Sequence, residues 1–195
     1  MRYTKEYKDS AKQRLVAAGG GHAKQHGFGN SGMSDLAAAA GVTTGSLYKH
    51  FGGKADLFAS LISAELKRTA QMYDAIDPMD RTSAVKSLSS YLSLQHVKHP
   101  ELGCPLPTLT PEVARADQSV RDAFQQGMLE IHANVEKFTG SADRAWALIA
   151  QNVGAVMIAR ALSDEKLQQE LLTALRRSGE RLLNDESNVH PGRKP

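Results

Sequence analysis

The chain has 195 residues, 41% of them hydrophobic, with 24 Lys and Arg against 21 Asp and Glu and a formal net charge of +3. That is enough apolar side chain to bury a substantial core in one or two domains, and it excludes the sparse, highly charged compositions that stay unfolded. A lone cysteine, Cys104, excludes an intramolecular disulfide.

The front lacks a basic start followed by an apolar core. The most apolar stretch, AWALIAQNVGAVMIA at 145–159, is interrupted by Gln151 and Asn152 and is shorter than a bilayer requires. The expected location is therefore the cytoplasm, with no membrane partner. Charge is unevenly placed. Residues 1–68 hold 10 Lys and Arg against 5 Asp and Glu, net +5, which leaves 14 against 16, net −2, for residues 69–195. A basic front suggests a segment that meets an anion.

In chain order, residues 5–26 set Ala11, Leu15, Val16, Ala18 and Ala23 among Lys, Gln and Arg at helical spacing, weakened by the triple glycine Gly19 to Gly21. Ser31 is expected to cap a short helix over 33–40, which Gly41 ends; Thr43 or Thr44 caps another over 45–51. A longer helix at 54–74 repeats Leu57, Phe58, Leu61, Ile62 and Leu66 every three or four residues. Then follow a helix over 81–97, an irregular proline-rich passage at 99–111, and helical segments over 111–139, with room for a break inside it, 142–162 and 164–184. No alternating strand pattern appears, so the expected fold class is all-α. The expected division is a basic N-terminal helical domain at 1–53, a larger helical domain at 54–187, and a flexible tail at 188–195.

Gly27, Gly29 and Gly32 satisfy G-x-G-x-x-G, the spacing of a dinucleotide loop. That loop needs a buried strand before it and an acid about twenty residues after it. Here the preceding segment is polar and helical in spacing, and the later positions are Lys49, His50 and Phe51. No Gly-Lys-Ser or Gly-Lys-Thr follows either, so the stretch reads as a turn between helices, with no nucleotide cofactor.

Two short helices joined by a tight glycine turn and carrying the basic charge make a helix-turn-helix candidate. Leu47 and Phe51, four apart, face inward, leaving Thr43, Thr44, Ser46, Tyr48, Lys49 and His50 outward. The stretch MSDLAAAAGVTTGSLYKHFGGKADLF resembles the DNA-binding segment of the TetR family of bacterial transcription regulators. The resemblance rests on Asp35-Leu36-Ala37, Gly41-Val42, Gly45, Leu47-Tyr48, His50-Phe51, and Lys54 with Leu57. A weaker resemblance to ligand-binding domains of one branch of that family covers GCPLPTLTPEVARADQSVR at 103–121.

The resemblance implies a homodimeric repressor of palindromic operator DNA that a small-molecule effector releases. Ser31, Thr43, Tyr48, His50 and Lys54 are the expected backbone contacts, and Thr44, Gly45, Ser46 and Lys49 the expected base readers. Expected effector contacts are Met72, Tyr91, Leu94, Gln95, Cys104, Leu106, Leu109, Phe124, Met128, Trp146 and Asn152. Dimerisation is expected through Trp146, Ile149, Val153, Val156 and Met157 on one helix and Leu167, Leu171, Leu175 and Leu182 on the next.

Three alternatives stand beside this reading. Cys104 is either a small buried hydrophobe or a thiol that senses oxidants and electrophiles. The helical domain is alternatively a small-molecule enzyme, although no acid, base and nucleophile set stands out. The basic front alternatively meets RNA or acidic protein. His22 with His26, and His96 with His99, share helix faces but lack further ligands, so no metal is expected.

Overall fold

The computed structural model describes residues 5–184, with side chains from Lys12 onward. Among these residues there are ten α-helices and no strand, as an all-α chain requires. The tail expected at 188–195 lies outside the described residues. The helices are α1 (Lys5–His26), α2 (Met33–Ala39), α3 (Thr44–His50), α4 (Lys54–Asp74), α5 (Arg81–Tyr91), α6 (Leu94–Lys98), α7 (Leu106–Val113), α8 (Gln118–Thr139), α9 (Ala142–Ala161) and α10 (Glu165–Asn184).

They pack as two compact units that interleave along the chain. Among the described residues, one takes Lys5–Thr69 with His99–Met128 and the other Ala70–Lys98 with Leu129–Asn184.

In the first unit, α1 survives its three glycines because its other side chains are anchored. Leu15, Val16 and Ala23 are buried, and each glycine has a different neighbourhood. A methyl group on Gly21 would meet nothing within 4 Å, and one on Gly19 would meet Leu61 at an ordinary 3.7 Å. On Gly20 it would lie 2.7 Å from Glu65 Oε1. Gly20 is thus the place where α1 makes room for a carboxylate.

That carboxylate is the centre of a buried polar cluster. Lys24 Nζ donates to Glu65 Oε2 at 2.8 Å and to the Gly103 carbonyl at 3.0 Å, and Arg68 Nη2 reaches the same two acceptors, each at 3.0 Å. Both Lys24 and Glu65 are buried, and Arg68 is the half-exposed partner. Burial holds the Lys24 ammonium below its usual pKa, with the Glu65 hydrogen bond pulling the other way. A buried charge that loses its partner is far more costly than the pair is favourable, so the cluster fixes α1 against α4 and the Gly103 backbone.

Two sequence expectations need correction. The helix read over 81–97 is two helices: Leu92 leaves the helical region, and Ser93 starts α6 by accepting the His96 N–H at 3.2 Å while donating to the Ser90 carbonyl at 2.7 Å. The passage read as irregular at 99–111 contains a 3₁₀ turn at Pro100–Leu102 and then α7. Pro105 and Pro107 fall at the start of α7, where an absent N–H costs nothing, and Leu106, Leu109 and Val113 recur at helical spacing on its buried side.

In the second unit, α10 packs on α9 and α5, and α6 packs on α9. Arg176 donates to the Leu92 carbonyl and Arg160 to those of His96 and Val97, so two arginines cap the ends of α5 and α6. The core is aliphatic, with Leu92, Ile131, Ala145, Val156, Ala159 and Leu172 fully enclosed.

These contacts predict opposite signs for neighbouring glycines. Gly21→Ala should raise stability by up to about 1 kcal/mol through helix propensity. Gly20→Ala should lower it, because displacing Glu65 outweighs that gain. Glu65→Ala should cost about 3–5 kcal/mol, and Lys24→Met less because Arg68 still neutralises Glu65. Urea unfolding of the four variants checks the order.

Candidate nucleic-acid interface

The chain leaves α1 at Gly27, whose φ of +82° is costly for other residues and whose N–H closes on the Ala23 carbonyl at 2.8 Å. Phe28 turns inward and stacks on Phe58 of α4, ring centroids 4.1 Å apart. The amides of Phe28 and Gly29 donate to the two oxygens of one carboxylate, Glu112 of α7. So the loop with the dinucleotide-like spacing does cradle an anion. The anion is a side chain of the same chain.

Ser31 is placed differently from the sequence expectation. It is buried, its hydroxyl donates to the Gly27 carbonyl at 2.7 Å, and the cap of α2 is Gly32, whose N–H donates to Asp35 Oδ2 at 2.7 Å. Ser31 therefore shapes the loop from within, and its hydroxyl is already committed.

Between α2 and α3 the backbone closes a compact turn. Gly41, at φ +67°, donates to the Ala38 carbonyl and Val42 to that of Ala37, each at 3.0 Å, which satisfies the last carbonyls of α2. Thr43 then caps α3, its hydroxyl accepting the Ser46 N–H at 3.2 Å. Leu36, Ala37, Leu47 and Phe51 are buried, where α2 packs on α1 and on α3.

What α3 leaves outside is polar. Thr43, Gly45, Tyr48 and Lys49 are exposed, Tyr48 by 57%, while Thr44, Ser46 and His50 are half-buried. The Gly45 backbone is open, since a methyl there would meet only Thr43 Oγ1 at 4.0 Å. At the start of α4, Gly52 donates to Asp56, and Lys54 Nζ donates to the Gly29 carbonyl at 3.0 Å while lying 5.2 Å from the Phe28 ring centroid. Lys12 of α1, missed in the sequence, sits over Phe51 at 5.0 Å and adds a cation at the end of α3. A half-buried helix with hydroxyls, an amide-rich start and flanking cations has the chemistry to meet phosphates and base edges.

Residues 16–61 match the family described as bacterial regulatory proteins, tetR family, a span that covers the α2 turn α3 pair and its supports. That segment is of the TetR-family type. Over 85 residues the chain is 29% identical to the HTH-type transcriptional regulator TtgR of Pseudomonas putida and, at the same identity, to the probable HTH-type transcriptional regulator ArpR of that species. Each match spans 40% of this chain and 40% of the relative. Among solved structures it resembles reduced NemR of E. coli, with a TM-score of 0.72 and 20% identity over 86% of this chain and 96% of that one. The regulatory protein TetR of Rhodobacter sphaeroides gives 0.71 and 21% over 88% and 98%. These likenesses show the same fold over most of the chain.

The expected effector contacts divide between the units. In the first, Cys104, Leu106 and Leu109 are buried and Phe124 and Met128 half-buried. In the second, Tyr91 and Leu94 are half-buried, while Met72, Gln95 and Trp146 lie on the surface, with Trp146 stacked on His132. Asn152 is buried, and its Oδ1 has no hydrogen-bond partner among the described residues. Of the expected dimer stripe on α9, Ile149 and Val156 point into the chain's own core, whereas Trp146, Val153 and Met157 reach the surface; on α10, Leu167 is exposed and Leu171, Leu175 and Leu182 are half-buried. No group of three metal-ligating side chains occurs among the described residues, and no helix there is long and apolar enough to cross a membrane.

Thr43→Ala should destabilise the chain by about 1 kcal/mol through loss of the α3 cap. Lys49→Ala should leave thermal unfolding unchanged, because its side chain is exposed, yet weaken binding to a preferred duplex by about 1–3 kcal/mol and relax its base preference. Anisotropy titrations against matched and mutated duplexes check the second.

Proposed function

We propose that this chain is a homodimeric, ligand-responsive repressor that binds a palindromic operator and releases it when a small molecule occupies its helical domain. The observation that carries this reading is the capped α2 turn α3 pair with its polar outer face. Residues 1–53 form the reading domain and 54–187 the effector and dimerisation domain. Thr44, Gly45, Ser46 and Lys49 are the base readers; Thr43, Tyr48, His50 and Lys54 serve the backbone. Ser31 acts indirectly, through the loop it braces.

One module reads only a few base pairs, so an operator needs two copies. An apolar face of suitable kind runs along α9 and α10. Trp146, Ala150, Val153 and Met157 follow one another at four, three and four residues, and Leu167, Leu171, Leu175 and Leu182 line the adjacent helix. A surface stripe of this length on two packed helices supports a four-helix interface between copies. The inward Ile149 and Val156 support it from beneath by packing α9 in place. Buried Cys104, Leu106 and Leu109 and the unpartnered Asn152 oxygen are the strongest effector-contact candidates. The role is one of binding and release, without turnover.

Selection from random duplexes should yield a palindrome, and scrambled duplexes should bind weakly; equal binding of both ends the operator reading. Met157→Glu should give a monomer by light scattering and lose about a hundredfold or more in palindrome affinity, since the second contact is no longer intramolecular. The half-site affinity should stay unchanged.

A further inference from the structure

We infer that Glu112 is a positioning residue for operator recognition: its carboxylate, seated on the Phe28 and Gly29 amides, makes the placement of the reading helices depend on α7. The inference rests on the DNA-binding reading above and adds to it a specific contact through which the reading head is held.

The seat is built for a carboxylate. Phe28 N–H meets Oε1 at 3.1 Å, and Gly29 N–H meets Oε2. Two convergent backbone amides form an anion-binding concavity. Side chains on either flank would close it. A methyl on Gly27 would stand 2.8 Å from Oε1 and one on Gly29 3.2 Å from Oε2. Gly27 and Gly29 are thus accounted for by the carboxylate the loop accepts from a residue more than eighty positions away.

The loop is also the input to the reading head. Its Gly27 carbonyl is fixed by Ser31, Gly32 starts α2, and the Gly29 carbonyl holds the ammonium of Lys54 at the start of α4. The peptide units of one short loop therefore bind α7 on their amide side and α4 on their carbonyl side. A displacement of α7 acts at once on the start of α2 and on the Lys54 cation. The other end of the same segment is held as well, since the Gly103 carbonyl accepts from Lys24 and Arg68. Held at Gly103 and at Glu112, α7 has little freedom to move without altering the loop.

Coupling of this kind is reciprocal, so operator binding must act back on α7. Hydrogen exchange on the full chain, with and without its selected duplex, tests this without an identified effector. In the wild type, the duplex should slow exchange across 43–54 and, by at least about fivefold, across 106–113, which carries none of the proposed DNA contacts. In Glu112→Gln, whose amide nitrogen cannot accept a second N–H, protection of 43–54 should persist while the response of 106–113 disappears. Gly29→Ala, which keeps the carboxylate but crowds its seat, should give the same loss and serves if Glu112→Gln does not fold.

An equal response of 106–113 in wild type and both variants would overturn the inference, as would no response in a wild type whose 43–54 is protected. If no duplex protects 43–54 in the wild type, the DNA-binding reading fails first and takes this inference with it.

Discussion

The first unit depends on one buried charge. Lys24 lies on the inner side of α1 with its ammonium between the Glu65 carboxylate and the Gly103 carbonyl, at 2.8 and 3.0 Å. Such a group is stable only where its partners stand, so α1, α4 and the backbone before α7 are constrained together. The triple glycine follows from this. Only Gly20 is required to be small, because it faces Glu65, while Gly21 faces open space. A helix that looks weak by propensity is held by what its gap admits.

A second anion site lies one turn further along. The Phe28 and Gly29 amides take the Glu112 carboxylate, and Phe28 itself anchors on Phe58. Both sites tie the segment from Gly103 to Glu112 to the base of the reading head, the first with cations on a carbonyl, the second with amides on a carboxylate. The α2 turn α3 pair then adds its own closure through Gly41 and the Thr43 cap. Its outward residues are left free for a partner because the inward ones, Leu47 and Phe51, already satisfy the core.

Local signals were legible wherever neighbours in sequence decide the outcome. The Thr43 cap, the Gly41 stop, the inward Leu47 and Phe51 and the long period of α4 all rest on contacts within one or two turns. Two local signals stand out only beside the structure. Ser93 marks a new helix start inside 81–97, and Leu106, Leu109 and Val113 keep helical spacing through a proline-rich passage. There Pro105 and Pro107 stand at the start of α7, where a proline forfeits no hydrogen bond, and only Pro111 lies inside the helix. Ser31 was misplaced because a serine before a helix resembles a cap whether its hydroxyl turns to an amide ahead or to a carbonyl behind.

The sequence by itself determined an all-α chain, a helix-turn-helix candidate at α2 and α3 and the presence of apolar stripes on α9 and α10, since composition, caps and period are local properties; the TetR type of that segment came from its resemblance to a known family. Only the tertiary structure decided which side of each stripe is already used, turning Ile149 and Val156 inward and leaving Trp146 and Met157 outside. It alone decided what the glycine loop holds. Gly27, Gly29 and Glu112 meet through folding of distant segments, and no spacing rule joins residues that far apart. The loop's resemblance to a phosphate cradle was right about the kind of ligand its amides accept and silent about its source.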